Sequence, residues 1–155
     1  MTSNKKLSFE TPLSIKSEHH ELHSDLTKII NLGGDIGRAA QNVANILHPH
    51  FEKEEEYATP PLGLLRIITT GNLSDDIERA LEMTEKLKND LPEMIKEHKN
   101  IVNALNELIQ IARANNNEYV EKFAEKLKLH ANNEEEILYP AAILVGEYLQ
   151  LKRLK

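Results

Sequence analysis

Two stretches of the chain repeat one pattern at the same offsets. In each, a histidine is followed four residues later by the first of three consecutive glutamates, and a proline closes the stretch. The two stretches are His50–Pro60 and His130–Pro140, and each is preceded by a further histidine, His19 or His98. An internal repeat of this kind constrains the architecture more than local propensity does. We expect the repeat unit to be a pair of helices, each directing a histidine to the same place.

The bulk properties fit one helical domain. The 155 residues are enough to bury a sizeable core, and the scarcity of aromatic, glycine and proline residues favours helices over sheets. The net charge of −6 argues against a broad surface for nucleic acid or an anionic membrane. No segment approaches the ~20 apolar residues of a membrane span, and no cysteine is available for disulfides, thiol catalysis or iron–sulfur clusters. Without a secretory signal, we expect a cytoplasmic protein.

Apolar side chains recur at helical spacing in four long segments. These predicted helices cover about residues 13–31, 35–58, 91–113 and 118–151. They predict an all-α fold, an antiparallel up-down four-helix bundle over residues 13–151, after an extended lead-in at 1–12. Two prolines, Pro49 and Pro140, lie inside predicted helices and are expected to bend them.

The two halves are joined by a connector that the repeat does not explain. Residues 62–72 are apolar and are expected to pack across one end of the bundle. A further helical segment is predicted at residues 74–90, with Ser74 as its N-cap and Asp75 and Asp76 in its first turn. Pro92 is expected to kink or break this helix.

Six polar side chains interrupt the aliphatic stripes of the predicted helices. They are His19, His50, Glu54, His98, His130 and Glu134. Residues four apart lie only ~40° apart around a helix, so each histidine–glutamate pair presents two ligands on one face. A buried carboxylate without a partner is costly, and a metal ion removes that penalty. One buried histidine is more often a satisfied core residue than a ligand, but four on facing helices with two glutamates predict a metal site.

This set of donors narrows the choice of metal. Four imidazoles and two carboxylates are too many for one tetrahedral zinc ion and too rich in nitrogen for calcium or magnesium. They suit two iron or manganese ions bridged by the carboxylates. With a bridging oxide or hydroxide as well, each ion keeps one octahedral position open for a small ligand. The isolated protein can also carry manganese or zinc, because an overproduced chain takes the metal that is available.

The spacing of these residues resembles that of the hemerythrin-like family of cation-binding four-helix bundles, over about residues 13–150. The resemblance implies a non-haem di-iron centre that binds oxygen, nitric oxide or peroxide, with the six residues above as its ligands. Oxygen-carrying hemerythrins have a fifth histidine where this chain has Met94, and an aspartate where it has Glu135. Symmetry with Glu54 favours Glu134 as the ligand here. The four-histidine, two-glutamate set is similar to that of the branch that repairs iron centres and responds to nitric oxide, and of peroxide-consuming relatives.

Three histidines remain outside this set. His23 lies four residues after His19 on nearly the same face, so it is either an additional ligand at an open position or a residue that lines the approach to the metals. His20 is expected to be solvated. His48 is expected to be solvated as well, unless a kink at Pro49 turns it inward.

Other polar side chains near the predicted ligands have weaker assignments. Tyr57 and Tyr139 are predicted to be core residues, with control of small-molecule access as the alternative. The remaining glutamates of the two runs are predicted to be surface charges, one or two of which orient ligand histidines. These are Glu55, Glu56, Glu135 and Glu136.

The sequence leaves four functions to compare. The first is a redox-active di-iron protein that binds or reduces oxygen, nitric oxide or peroxide, for stress protection or iron-centre repair, with an unidentified electron donor. The second is a non-enzymatic oxygen carrier, oxygen sensor or iron store. The third is a ferritin-like oxidase, which is disfavoured because it would use Glu-x-x-His motifs that the sequence lacks. A metal-free interaction domain is the fourth. No residue is assigned as catalytic, enzymatic activity is left open, and the chain is expected to be a monomer or a homodimer.

Overall fold

The computed structural model describes residues 9–71, 73 and 77–153, and the regular secondary structure in these ranges is entirely helical. The all-α prediction is therefore confirmed. The α-helices, numbered α1 to α6, are Leu13–Ile30, Gly34–Lys53, Leu64–Thr70, Ile77–Ala114, Glu118–Asn133 and Tyr139–Arg153. The predicted helix start at Ser74, Asp75 and Asp76 lies outside the described residues. None of the helices in these ranges is long and apolar enough to cross a lipid bilayer.

Both repeated stretches contain a π-helical turn. One turn, Glu54–Ala58, continues α2, and the other, Glu134–Leu138, joins α5 to α6. The residue after each turn, Thr59 or Tyr139, donates its N–H to the carbonyl of the glutamate that opens the turn, five residues back. A proline without an N–H follows immediately in both cases. The sequence predicted a helix end and a bend at these places but not the widened turns, which occur often at functional sites.

The fourth helix differs most from its prediction. α4 runs without a break from Ile77 to Ala114, so the predicted insertion at 74–90 is, over its described residues, the first part of this helix. Pro92 does not interrupt it. Its ring is exposed, so water can bond the carbonyl that lacks an N–H partner within the helix. α4 packs against α2, α5 and α6.

Short turns join α1 to α2 and α4 to α5. Gly33 and Gly34, with φ of 69° and 62°, separate α1 from α2 in a backbone region that favours glycine. The three asparagines between α4 and α5 form a turn in which Asn116 has φ of 53°. The side chain of Asn117 accepts a hydrogen bond from the N–H of Val120 at 3.2 Å and caps α5.

Two separate hydrophobic cores stabilise the helices. The first is built from α1, α2, the C-terminal part of α4 and α5, and includes Leu26, Val43 and Leu105. The second is built from the connector, the N-terminal part of α4 and α6, and includes Leu87 and Val145. Each buried leucine or valine of this kind contributes about 1.5–3 kcal/mol. A layer of buried residues that belongs to neither core lies between them.

The last residues of the lead-in pack against the connector. Phe9 is buried in the second core, and the hydroxyl groups of Thr11 and Thr59 are 2.9 Å apart. The backbone of Glu10 crosses Gly63 so closely that a Cβ atom there would lie 2.0 Å from the Glu10 carbonyl oxygen. This contact requires glycine at the connector, whose Leu62 is buried in the same core.

Candidate metal centre

The six polar residues predicted as ligands are all buried in the layer between the two cores. Along α4, His98 lies between Met94 of the second core and Ile101 of the first. The side chains of Glu54 and Glu134 are 0% and 2% exposed. The helical spacing that predicted these positions therefore describes their burial correctly.

The donor atoms of these six residues form two groups, each with its atoms within 4.8 Å of one another. The first group is His50, Glu54, His98 and Glu134. The second group is His19, His130 and Glu134. Glu134 belongs to both groups, whereas Glu54 belongs to the first alone. The prediction that both glutamates bridge two ions therefore has direct geometric support for only one of them.

Glu134 is surrounded by three imidazoles. Its Oε1 lies 3.4 Å from Nε2 of His98 and 3.5 Å from Nε2 of His130. Its Oε2 lies 3.8 Å from Nε2 of His19. One carboxylate thus faces histidines of both groups, in the position that a ligand shared by two cations requires.

Several buried polar atoms of this layer have no hydrogen-bond partner within the described residues. They are Nε2 of His19, Nε2 of His130, Oε2 of Glu134 and both carboxylate oxygens of Glu54. Oε1 of Glu54 is 2.9 Å from Nε2 of His50, but the two atoms are not aligned for a hydrogen bond. Unpaired buried carboxylates and imidazoles are destabilising in an ordinary core. Cations ligated by nitrogen and oxygen would satisfy all of these atoms, so the residues present fit a metal centre.

Three of the four candidate-ligand imidazoles form a hydrogen bond through Nδ1 with a carboxylate from another helical segment. The Nδ1–carboxylate pairs are His50–Glu97 at 2.7 Å, His98–Glu135 at 2.9 Å and His130–Glu18 at 2.6 Å. An Nδ1–H that donates to a carboxylate leaves the Nε2 lone pair directed at the centre. Nδ1 of His19 is 3.9 Å from Glu55, which is beyond hydrogen-bond distance.

Sequence reasoning found only part of this carboxylate set. Glu135 was predicted to be either a surface charge or an orienting residue, and the structure places it on His98, while its neighbour Glu136 is exposed. Glu18 and Glu97 were not predicted. The available signal was that each directly precedes a candidate ligand at matching positions of the two repeats.

Tyr139 reaches into the first donor group. Its hydroxyl lies 3.2 Å from Nε2 of His50 and 3.1 Å from Nε2 of His98. Burial and the nearby carboxylates raise its pKa, so the phenol keeps its proton and can donate a hydrogen bond. The hydroxyl of Tyr57 instead donates to Asp90 at 2.8 Å, outside the centre. Only one of the two tyrosines predicted as core residues therefore contacts the candidate ligands.

The surroundings give the imidazoles different proton affinities. Burial lowers the pKa of His98 and of His130, which keeps both rings neutral at pH 7 with a free lone pair. Burial acts in the same direction on His50, but the carboxylates of Glu54 and Glu97 outweigh it and raise its pKa. A cation in the first group would replace the proton that His50 attracts in the metal-free chain.

The structure places His23 outside both donor groups. Its ring stacks on that of His48, with centroids 4.8 Å apart, and meets the edge of Phe51 at 5.0 Å. Phe51 also stacks on His19 at 4.4 Å. His48 is exposed despite Pro49, as expected for a solvated residue. The alternative in which His23 fills an open coordination position has no geometric support.

Three surface cavities reach the buried histidines from different sides. A cavity of about 620 Å³ reaches His98, and one of about 350 Å³ reaches His19. The third, of about 340 Å³, reaches His130 between α1, the connector and the start of α6. Its apolar lining includes Pro12, Ile15, Leu62, Leu65 and Ala141. A small uncharged molecule therefore has routes toward the donor groups.

A comparison with protein-family models gives one match, to the Hemerythrin HHE cation binding domain, over residues 13–142. Comparisons with curated proteins and with solved structures give no match. The matched range contains both repeats and every one of the six buried candidate ligands. The chain is therefore a member of the hemerythrin family and carries its HHE cation-binding domain.

Proposed function

We propose that this chain is a non-haem di-iron protein that binds or reduces oxygen, nitric oxide or peroxide in the response to oxidative or nitrosative stress or in the repair of iron centres. The observation that carries the proposal is the buried layer of four imidazoles and two carboxylates with unpaired donor atoms. The proposed ligands are His19, His50, Glu54, His98, His130 and Glu134. The proposed architecture around them is an up-down four-helix bundle.

Different residues of the chain would have different roles at this centre. Bound iron would supply the redox change and an open position for a small ligand. Glu134 would join the two ions, since its oxygens face histidines of both groups. Glu18, Glu97 and Glu135 would fix the orientation of three ligand imidazoles. These carboxylates also balance the positive charge of the cations.

Among the described residues, Tyr139 would supply the only hydroxyl within hydrogen-bond distance of the side-chain donor atoms of the candidate ligands. A protonated phenol in a buried site is a directed hydrogen-bond donor. It would orient toward a small ligand once the Nε2 atoms of His50 and His98 are occupied. The surrounding core residues keep bulk water out of this region.

Oxygen carriage, oxygen sensing and iron storage are the alternatives. A carrier is best served by one saturated ion beside one open ion, which requires a seventh ligand such as His23. The position of His23 against His48 and Phe51 does not favour that arrangement. We therefore favour reduction or stress-related binding of oxygen, nitric oxide or peroxide over reversible oxygen carriage. A monomeric or homodimeric state and a cytoplasmic location remain predictions.

The test is metal analysis followed by reaction of the reduced protein with each small ligand. Protein reconstituted anaerobically with ferrous iron is expected to hold two iron ions per chain, and the Glu134→Ala variant fewer than one. A matched control, Glu136→Ala, changes an exposed glutamate of the same run and is expected to retain both. Rapid peroxide turnover, or a lasting spectral change with nitric oxide, supports the proposal. A stable and reversible oxygen adduct favours the carrier, and no iron in the reconstituted wild type overturns both.

A further inference from the structure

Three of the chain's seven histidines are not candidate ligands; two of them line one cavity, and the third stacks on one of these two. His20 and His23 line the cavity that reaches His19, and the ring of His48 stacks on that of His23. The opening is thus rich in imidazole, the side chain that most often binds transition metals. His19 lines the same cavity, and its Nε2, on the side of the ring that faces Glu134, is buried without a hydrogen-bond partner among the described residues.

The stacked rings of His23 and His48 can turn so that a nitrogen of each binds the same cation. His23 is half-buried, with its ring against the edge of Phe51, so its position is fixed by packing. His48 is exposed, and its ring is free to turn until a nitrogen faces the same point as one of His23. The centroid separation of 4.8 Å is already close to the distance between two imidazoles that share one ion. Neither ring has a side-chain hydrogen bond to another described residue that would resist this movement.

The charges at the opening also favour a cation. Glu55 lines the same cavity and its side chain is 59% exposed, so its carboxylate is accessible as an oxygen donor. Its nearest imidazole, His19, is 3.9 Å away and does not bond it. Among the residues that the structure describes, Lys16 supplies the one ammonium group lining the cavity, and its pairing with Glu10 at 3.0 Å reduces its repulsion of an approaching cation.

We propose that His23 and His48, together with Glu55, form a loading site for a divalent transition-metal cation on its way to the buried centre. The inference rests on the proposed function in one respect, because transfer requires the centre to accept the ion. His19 is the first donor of the centre that the ion meets, since it lines the cavity from within. The His19 ring lacks the Nδ1–carboxylate hydrogen bond that the other three imidazoles have.

The first experiment counts cations. Metal-free full-length protein is titrated with Co²⁺ by calorimetry and by absorption spectroscopy. The wild type is expected to bind three ions, two at the centre and a weaker third, and His23→Gln and His48→Gln are each expected to lose the third alone. The matched control is His20→Gln, which removes an imidazole from the same opening but not from the stacked pair. If His20→Gln removes the third ion and the other two variants retain it, the assignment is overturned.

The second experiment measures loading. On mixing with Co²⁺ below saturation, the centre of His48→Gln is expected to fill about tenfold more slowly than that of the wild type, because local capture raises an association rate. The final spectrum and the two-ion content of the centre should be unchanged. Equal loading rates together with an unchanged ion count in both variants overturn the loading site while leaving the centre intact. If the wild type binds a single ion that His48→Gln removes, the proposed function fails and the site at the opening stands.

Discussion

The hydroxyl of Tyr139 lies 3.1 Å from Nε2 of His98 and almost equally close to Nε2 of His50, so one phenol occupies the approach to two candidate ligands. In the other repeat, the position equivalent to Tyr139 is Thr59, whose hydroxyl bonds the backbone of Glu54 and the side chain of Thr11. The two halves of the centre are therefore chemically different although the sequence repeat is nearly symmetric.

Tyr139→Phe is expected to destabilise the metal-free chain by about 1–3 kcal/mol, because the buried Nε2 atoms of His50 and His98 lose the hydroxyl, which can donate to one of them and accept from the other. The loss should be smaller in the metal-loaded protein, where the cation occupies these nitrogens. Denaturant unfolding with and without metal measures both values. Tyr57→Phe removes a hydroxyl that bonds Asp90 outside the centre, so its effect should be the same in both forms. Equal losses for Tyr139→Phe in the two forms would contradict this assignment.

Glu135→Gln is expected to lower the metal affinity of the centre by about 10–100-fold, because His98 loses the carboxylate that orients its ring. Competition with a chromophoric chelator gives the affinity. Glu136→Gln changes the next residue, which is exposed and bonds no histidine, and should leave the affinity unchanged. Similar affinities for the two variants would mean that Glu135 does not act through His98.

Metal removal is expected to lower the stability of the chain. A cation at a free concentration 100-fold above its dissociation constant adds about 2.7 kcal/mol to the free energy of unfolding. Thermal unfolding of the iron-loaded protein before and after chelation measures the difference. Glu134→Ala removes the carboxylate common to both donor groups and should abolish the dependence on metal. Glu52→Ala, at an exposed position of the other repeated stretch, should preserve this dependence. A wild type whose stability does not change on chelation would contradict a metal in this layer.

Gly63→Ala is expected to destabilise the chain by about 1–3 kcal/mol, because its Cβ would lie 2.0 Å from the backbone carbonyl oxygen of Glu10. Thermal or denaturant unfolding measures the change. Gly71→Asn is a suitable comparison, since nothing lies within 4 Å of the added atom and asparagine tolerates the positive φ of this position. A neutral Gly63→Ala would show that the lead-in does not pack against the connector in solution.

The buried donor positions could be predicted because they follow from helical geometry alone. His50 and Glu54 lie four residues apart in an aliphatic stripe, and a stripe of this kind has one buried face. The ends of α1 and α4 could be predicted as well, because glycine and asparagine favour the positive φ that ends a helix, and Gly33 and Asn116 adopt it.

The features that were missed depend on contacts between segments distant in sequence. Glu97 lies at the margin of its own stripe, and only the packing of α4 on α2 brings it to His50. The break expected at Pro92 fails because the residue faces solvent, which the local sequence does not report. Tyr139 directly follows a π-helical turn, and the regular helical spacing from which its position was predicted does not include such a turn.

The layer between the two hydrophobic cores links metal exchange to the internal motion of the molecule. A cation in the first donor group would join α2 to α4, and one in the second would join α1 to α5, so the departure of either would require its helices to move apart locally. The dissociation rate of the ion should then rise and fall with hydrogen exchange at the backbone amides near His98. Substitutions in either core, far from any donor atom, would change how long the ion stays bound.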